Sequence, residues 1–126
     1  MSTARLFSIP GGALVQPDLR ERLVALRRDL HRHPELAFAE HRTSEVLARE
    51  LESLNPTRLD RVARTGLIAR IAGRNANAPV VAIRGDIDAL PIQEATELPF
   101  ASTNSGVMHA CGRRALMTSP PVPMER

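Results

Sequence analysis

Leu19, Leu23, Leu26 and Leu30 recur four, three and four residues apart, with Arg, Glu and Asp between them. That spacing places the leucines on one stripe of a helix. Asp18 follows Pro17 directly and is the N-cap candidate. Pro34 steers the residue before it out of the helical region, so the helix is expected from about Asp18 to His31. A second stripe, Val46, Leu47, Leu51 and Leu54, begins after Glu40 to Thr43 and is stopped by Asn55-Pro56. Arg58 to Ala63 and Leu67 to Ala72 are short extended runs on either side of Arg64-Thr65-Gly66, the pattern of a hairpin. Pro79 to Ile83 is apolar on both faces, as expected of a strand buried in the middle of a sheet.

From Asp86 to Gly112 the period is lost, and Pro91, Pro99, Asn104 and Gly106 mark a long excursion of loops leaving that strand. Such excursions tend to carry sites. The fold class these elements predict is α/β: two helices, a hairpin, one buried strand and a loop segment. Three regions follow. Residues 1–17, with an apolar patch broken by Pro10, Gly11 and Gly12, read as a flexible leader. Residues 18–112 carry the ordered patterns. Residues 113–126, with Ser119-Pro120-Pro121-Val122-Pro123, read as a disordered tail.

Composition adds one structural point. The chain has 126 residues and 43% apolar content, but three Phe, no Trp and no Tyr leave Leu, Val, Ile and Ala to do the burying. Ala removes little apolar surface from water, so the core is expected to be thin. All 17 basic residues are Arg, and through Gly112 there are 14 Arg against 13 acidic residues, so most of the net charge of +3 comes from the tail. Mixed signs along the helices and the lack of stacking aromatics argue against a nucleic-acid partner. No segment approaches the roughly 18 apolar residues needed to span a bilayer, which argues against a membrane partner. The single Cys cannot form an internal disulfide, and a cytoplasmic location is the default.

Two short motifs could carry chemistry. Asp86-Ile87-Asp88 follows the apolar run, where two carboxylates can bind a hard cation or orient an imidazole, or simply form a solvated turn. His109 and Cys111 offer an imidazole and a thiol, ligands that suit zinc, although a lone Cys also reads as a small buried thiol. As a nucleophile Cys111 would need a base, and His109 is the near candidate. His31, His33 and His41 read as helix-end or surface histidines.

Taken in order, these segments resemble a known family. They are Leu26-Arg27-Arg28-Asp29-Leu30-His31-Arg32-His33-Pro34-Glu35-Leu36, then Glu40 with Thr43-Ser44, then Thr65-Gly66-Leu67. Arg84-Gly85-Asp86-Ile87-Asp88-Ala89-Leu90-Pro91-Ile92-Gln93-Glu94 and Gly106-Val107-Met108-His109-Ala110-Cys111-Gly112 complete the set. Over about residues 20–112 the chain is similar to the N-terminal portion of the metal-dependent hippurate hydrolases, N-acyl-amino-acid amidohydrolases and indole-acetyl-amino-acid hydrolases. The resemblance implies an α/β catalytic domain with an inserted dimerisation domain, the latter absent from this sequence. It also implies a divalent metal pair, zinc or manganese or similar, that activates water, a glutamate base further along, and a small N-acyl amino acid as substrate.

In that family the cysteine of Cys-Gly-His-Asp and the histidine two positions on are metal ligands. Cys111 keeps the first place, whereas Arg113 stands at the histidine's and Arg114 at the acidic residue's. A guanidinium stays protonated near neutral pH and repels a dication. The resemblance therefore implies Cys111 as a residual ligand, no metal pair bound in this chain, and no catalysis by it. If His-Asp-Gly is encoded CAC GAC GGG and followed by CAC, removing two nucleotides gives CGA CGG GCA, which reads Arg-Arg-Ala as at Arg113, Arg114 and Ala115; rearrangement or divergence is the other route. The alternatives to a lineage of amidohydrolases are a non-functional truncated product and a basic nucleic-acid-binding peptide.

Overall fold

The computed structural model describes residues 16–111. Its elements run α1 (Pro17–Arg32), α2 (His41–Glu52), β1 (Arg58–Val62) and β2 (Gly66–Arg70). The two helices and the hairpin are those that the sequence predicts. The proposed leader lies outside the described residues except for Gln16 and Pro17, and the tail from Arg113 lies wholly outside them.

Helix α1 starts one residue before the expected N-cap. Gln16 is the N-cap and Pro17 takes the first helical position, where its fixed φ suits the turn and its missing N–H costs nothing. Asp18 is thus not the cap; its carboxylate lies in the first turn, where it favours the positive end of the helix dipole. The leucine stripe is helical but not buried along its length. Leu19 and Leu23 are exposed, Leu26 is half-buried and Leu30 is buried, so packing among the described residues is concentrated at the C-terminal turn. That turn has long-range donor partners: the Arg32 carbonyl accepts the Thr103 N–H at 2.9 Å and the Thr103 hydroxyl at 2.8 Å.

Helix α2 has no side-chain cap from its own N-cap residue, Glu40. Glu35 performs that service from the preceding connection, its carboxylate accepting the N–H groups of Arg42 at 3.0 Å and Thr43 at 2.7 Å. Glu40 turns inward instead, where it is buried and accepts the Thr65 hydroxyl at 2.6 Å. The buried face of α2 is Thr43, Ser44 and Ala48, while Leu54, predicted on the apolar side, is exposed beyond the helix end. Small side chains let the hairpin come close, and α2 packs on both strands. Arg61 of β1 reaches across to Glu45 at 2.8 Å.

β1 and β2 pair antiparallel, with Arg58 opposite Arg70 and Val62 opposite Gly66. The connecting turn uses the left-handed region at Ala63 (φ 48°) and Arg64 (φ 73°). Gly66 is demanded by a close approach, because a Cβ there would stand 2.9 Å from the Val62 carbonyl oxygen.

The buried strand expected at Pro79 to Ile83 is not present. No strand forms there, and Val80 and Ile83 are 79% and 83% exposed. A strand apolar on both faces needs neighbours on each edge and a layer on each face. The sheet among the described residues has two strands, β1 and β2, and neither pairs with this run. Further along, the chain returns to the helices. Ala89 is buried and bridges to Leu36 in parallel fashion, its N–H donating to the Glu35 carbonyl at 2.8 Å. The core is therefore small and polar, built on Leu30, Ala48 and Ala89 with Thr43, Ser44, Glu40 and His31 enclosed among them.

Candidate functional site

The loop excursion begins and ends on one bridge. Leu90 and Met108 exchange both backbone hydrogen bonds, at 2.9 and 3.0 Å, which closes the segment between them at its base. Two side chains organise the interior. Gln93 Oε1 accepts the Gly106 N–H at 2.8 Å and the Ser105 hydroxyl at 3.2 Å. Gly106 sits at φ 74°, a turn conformation that favours glycine. The Glu94 carboxylate, whose side chain is 4% exposed, accepts the Ser102 N–H at 2.6 Å and the Thr96 hydroxyl, and lies 3.0 Å from His31 Nε2.

This carboxylate is held well below its ordinary range, at about 2. The Thr96 hydroxyl contributes most; burial opposes it, and the Ser102 N–H and His31 add to the lowering. His31, in the last turn of α1, is buried rather than a surface histidine. Its ring meets Phe100 edge-on at 5.9 Å between centroids and lies 6.4 Å from the ring of His109. Phe100 carries the Arg28 guanidinium over its face at 4.9 Å. His33 stays with its own helix, Nδ1 lying 2.9 Å from the Asp29 carbonyl oxygen, and His41 is exposed at the start of α2.

The four residues singled out from the two short motifs are not gathered into one ligand set. Asp86 is exposed and paired with Arg84 at 3.0 Å. Asp88 is half-buried, two residues further toward the Leu90 bridge. His109 is half-buried beside His31, and Cys111 is an exposed free thiol. Among the described residues no group of three or more His, Cys, Asp or Glu side chains could hold a metal ion. Among the described residues the donors do not make up a set that fits a metal pair. Nor does the shallow cleft of about 300 Å³ between α1 and Pro99-Phe100 supply one, since its lining is Ala25, Arg28, Asp29, Arg32, Pro99 and Phe100. No helix of the described residues is long and apolar enough to cross a membrane.

The pattern that encloses this geometry matches known proteins. Residues 82–118 match the model of peptidase family M20/M25/M40. Over 92 residues, 72% of this chain, the sequence is 56% identical to an N-acetylcysteine deacetylase of Bacillus subtilis, covering 24% of that protein. Over most of its length the chain is thus similar to a segment of M20-family proteins. An N-acyl-L-amino acid amidohydrolase of Geobacillus stearothermophilus is 46% identical over 95 residues, covering 75% of this chain and 25% of its own. The solved structure of a dinuclear metal-binding M20 peptidase from Bacillus subtilis superposes with a TM-score of 0.66 at 54% identity, over 73% of this chain and 26% of that one.

The chain thus spans about a quarter of the length of these M20 relatives. Its two helices and two-stranded antiparallel sheet match the N-terminal part of an M20 domain. Glu94, Thr96 and Ser102 organise the loop, yet their hydroxyl, carboxylate and amide groups carry no spacing signal that marks them out. Glu94 stood in the sequence only as the last residue of the motif opened by Arg84.

Proposed function

We propose that residues 18–112 are the N-terminal segment of an amidohydrolase that cleaves the amide bond of small N-acyl amino acids, hippurate-like or N-acetylated. The observation that carries this reading is the 56% identity over 92 residues to a deacetylase of an N-acetyl amino acid. The 46% identity to an N-acyl-L-amino acid amidohydrolase supports the same substrate class. Within the segment, Cys111 keeps the family's place for a ligand thiolate, and the loop closed at Leu90 and Met108 delivers it three residues beyond a fixed point.

The 126-residue chain on its own does not carry out this hydrolysis. Arg113 stands where a neutral imidazole is needed, and its fixed positive charge opposes a cation held by Cys111. The experiment compares two proteins. In one, residues 18–112 replace the corresponding segment of the N-acyl-L-amino acid amidohydrolase relative, with that relative's own sequence following Gly112; the other is the 126-residue chain. The chimera is expected to release free amino acid from N-acetylated substrates in a metal-dependent way. Cys111→Ala in it should cost about a hundredfold or more, the upper end of what outer-shell partners of a metal site cost. The isolated chain should release none. A chimera that folds and binds metal yet is inactive defeats the reading, as does metal-dependent turnover by the isolated chain above its Cys111→Ala control.

A further inference from the structure

The loop from Leu90 to Met108 is held at its base by two backbone bonds, and it is held against α1 by one backbone bond, from Thr103, together with several side chains. On its outer side, Thr103 donates twice to the Arg32 carbonyl, and Asn104 Nδ2 donates to the Pro34 carbonyl at 2.7 Å. On its inner side one residue links three parts of the chain. Glu94 Oε2 accepts the Ser102 N–H at 2.6 Å, tying the start of the loop to its far limb. Glu94 Oε1 meets the Thr96 hydroxyl and lies 3.0 Å from His31 Nε2, tying both limbs to the last turn of α1. The His31 ring is then the neighbour of His109 at 6.4 Å. An ionised carboxylate is the side chain that suits this place, because it accepts at both oxygens and donates at neither.

The consequence falls on the residues after the loop. Met108 is fixed by Leu90, and the Ala110 N–H donates back to the Met108 carbonyl at 3.1 Å. Three residues reach at most about 11 Å, so Cys111 stays within that distance of Met108 and moves with it. We propose that Glu94 is the positioning residue of the candidate site: by holding the Leu90–Met108 loop to His31 of α1, it sets the direction in which the arm bearing His109 and Cys111 leaves Met108. Its value to the site rests on the reading of Cys111 given under Proposed function. The positioning itself does not depend on catalysis.

The test uses the full 126-residue chain and two-dimensional NMR with amide hydrogen exchange. In Glu94→Ala the nuclear Overhauser contact between the His31 and His109 rings should be lost. The Ser102, Gly106 and Met108 amides should exchange at least about tenfold faster, as expected when a local unit opens. The β1–β2 amides should be unchanged. A residue that merely supported overall stability would speed the hairpin amides in step. Glu94→Gln, which keeps an acceptor of the same shape, should restore the ring contact in part. Should Glu94→Ala fail to fold, Thr96→Val removes one bond from the exposed side; it should speed the Ser102 amide about threefold and leave the hairpin alone. Unchanged loop exchange with a retained ring contact in the folded variants overturns the proposal, as does loop and hairpin exchange rising together. An active chimera alongside that result would defeat the positioning role alone. An inactive chimera alongside the expected local loosening would defeat the amidohydrolase reading alone.

Discussion

Two glutamates are held in their charged form by hydrogen-bond donors around their carboxylates. For Glu35, burial works against ionisation, but the N–H groups of Thr43 and Arg42, aided by the Thr43 hydroxyl and His41, outweigh it and lower the pKa. For Glu94, the Thr96 hydroxyl leads and the pKa falls from 4.5 to about 2. Because both folded-state values lie below the unfolded ones, the stability they contribute is fully present above about pH 4.5. It is lost as pH falls through the folded-state values, toward about 2 for Glu94. Between pH 6 and pH 2 the urea midpoint of the chain should therefore decline. Glu94→Gln should make that decline shallower, since the Gln side chain has no proton to gain. Parallel declines in the two proteins, followed by far-ultraviolet circular dichroism, would refute this account of Glu94.

At the scale of elements, the hairpin depends on an absent side chain. Gly66→Ala would press a methyl group onto the Val62 carbonyl from 2.9 Å, a contact with backbone that cannot rotate away. The expected cost is about 1–3 kcal/mol, read as a lower urea midpoint with faster exchange at Arg61 and Leu67; an unchanged midpoint would show that the turn relaxes freely. The elements were legible in the sequence where local rules decide them. The leucine spacing of α1, the stop at Pro34, and Arg64-Thr65-Gly66 between two short runs each correspond to what formed. The run from Pro79 to Ile83 was not legible, because whether an apolar run becomes a strand depends on partners supplied from elsewhere. The start of α1 was misjudged by one residue, since Pro17 serves as the first helical residue better than Asp18 serves as a cap. Glu94 and its donors were invisible for a related reason: Ser102 and His31 meet that carboxylate across eight and sixty-three positions of sequence.

For the whole molecule, the exposed apolar residues matter more than the core. Val80 and Ile83 with Ile68 and Ile71 leave apolar surface in water, while the enclosed set is small and polar. A run of this kind without pairing partners is a template for association between copies. The isolated chain should self-associate as concentration rises, and Val80→Lys with Ile83→Glu should raise the soluble fraction without altering the hairpin's amide protection. Light scattering would decide it; identical association in the double variant would place the sticky surface elsewhere. The Thr103 bonds to Arg32 have a different consequence, one in time. They join residues seventy-one apart, so the final turn of α1 receives these carbonyl partners only after the intervening helix, hairpin and loop have been made. As the chain emerges from the ribosome α1 is complete in sequence early, yet its end is free to fray until Thr103 arrives. Contacts of such long separation slow folding, and this one makes the first helix among the last elements to be finished.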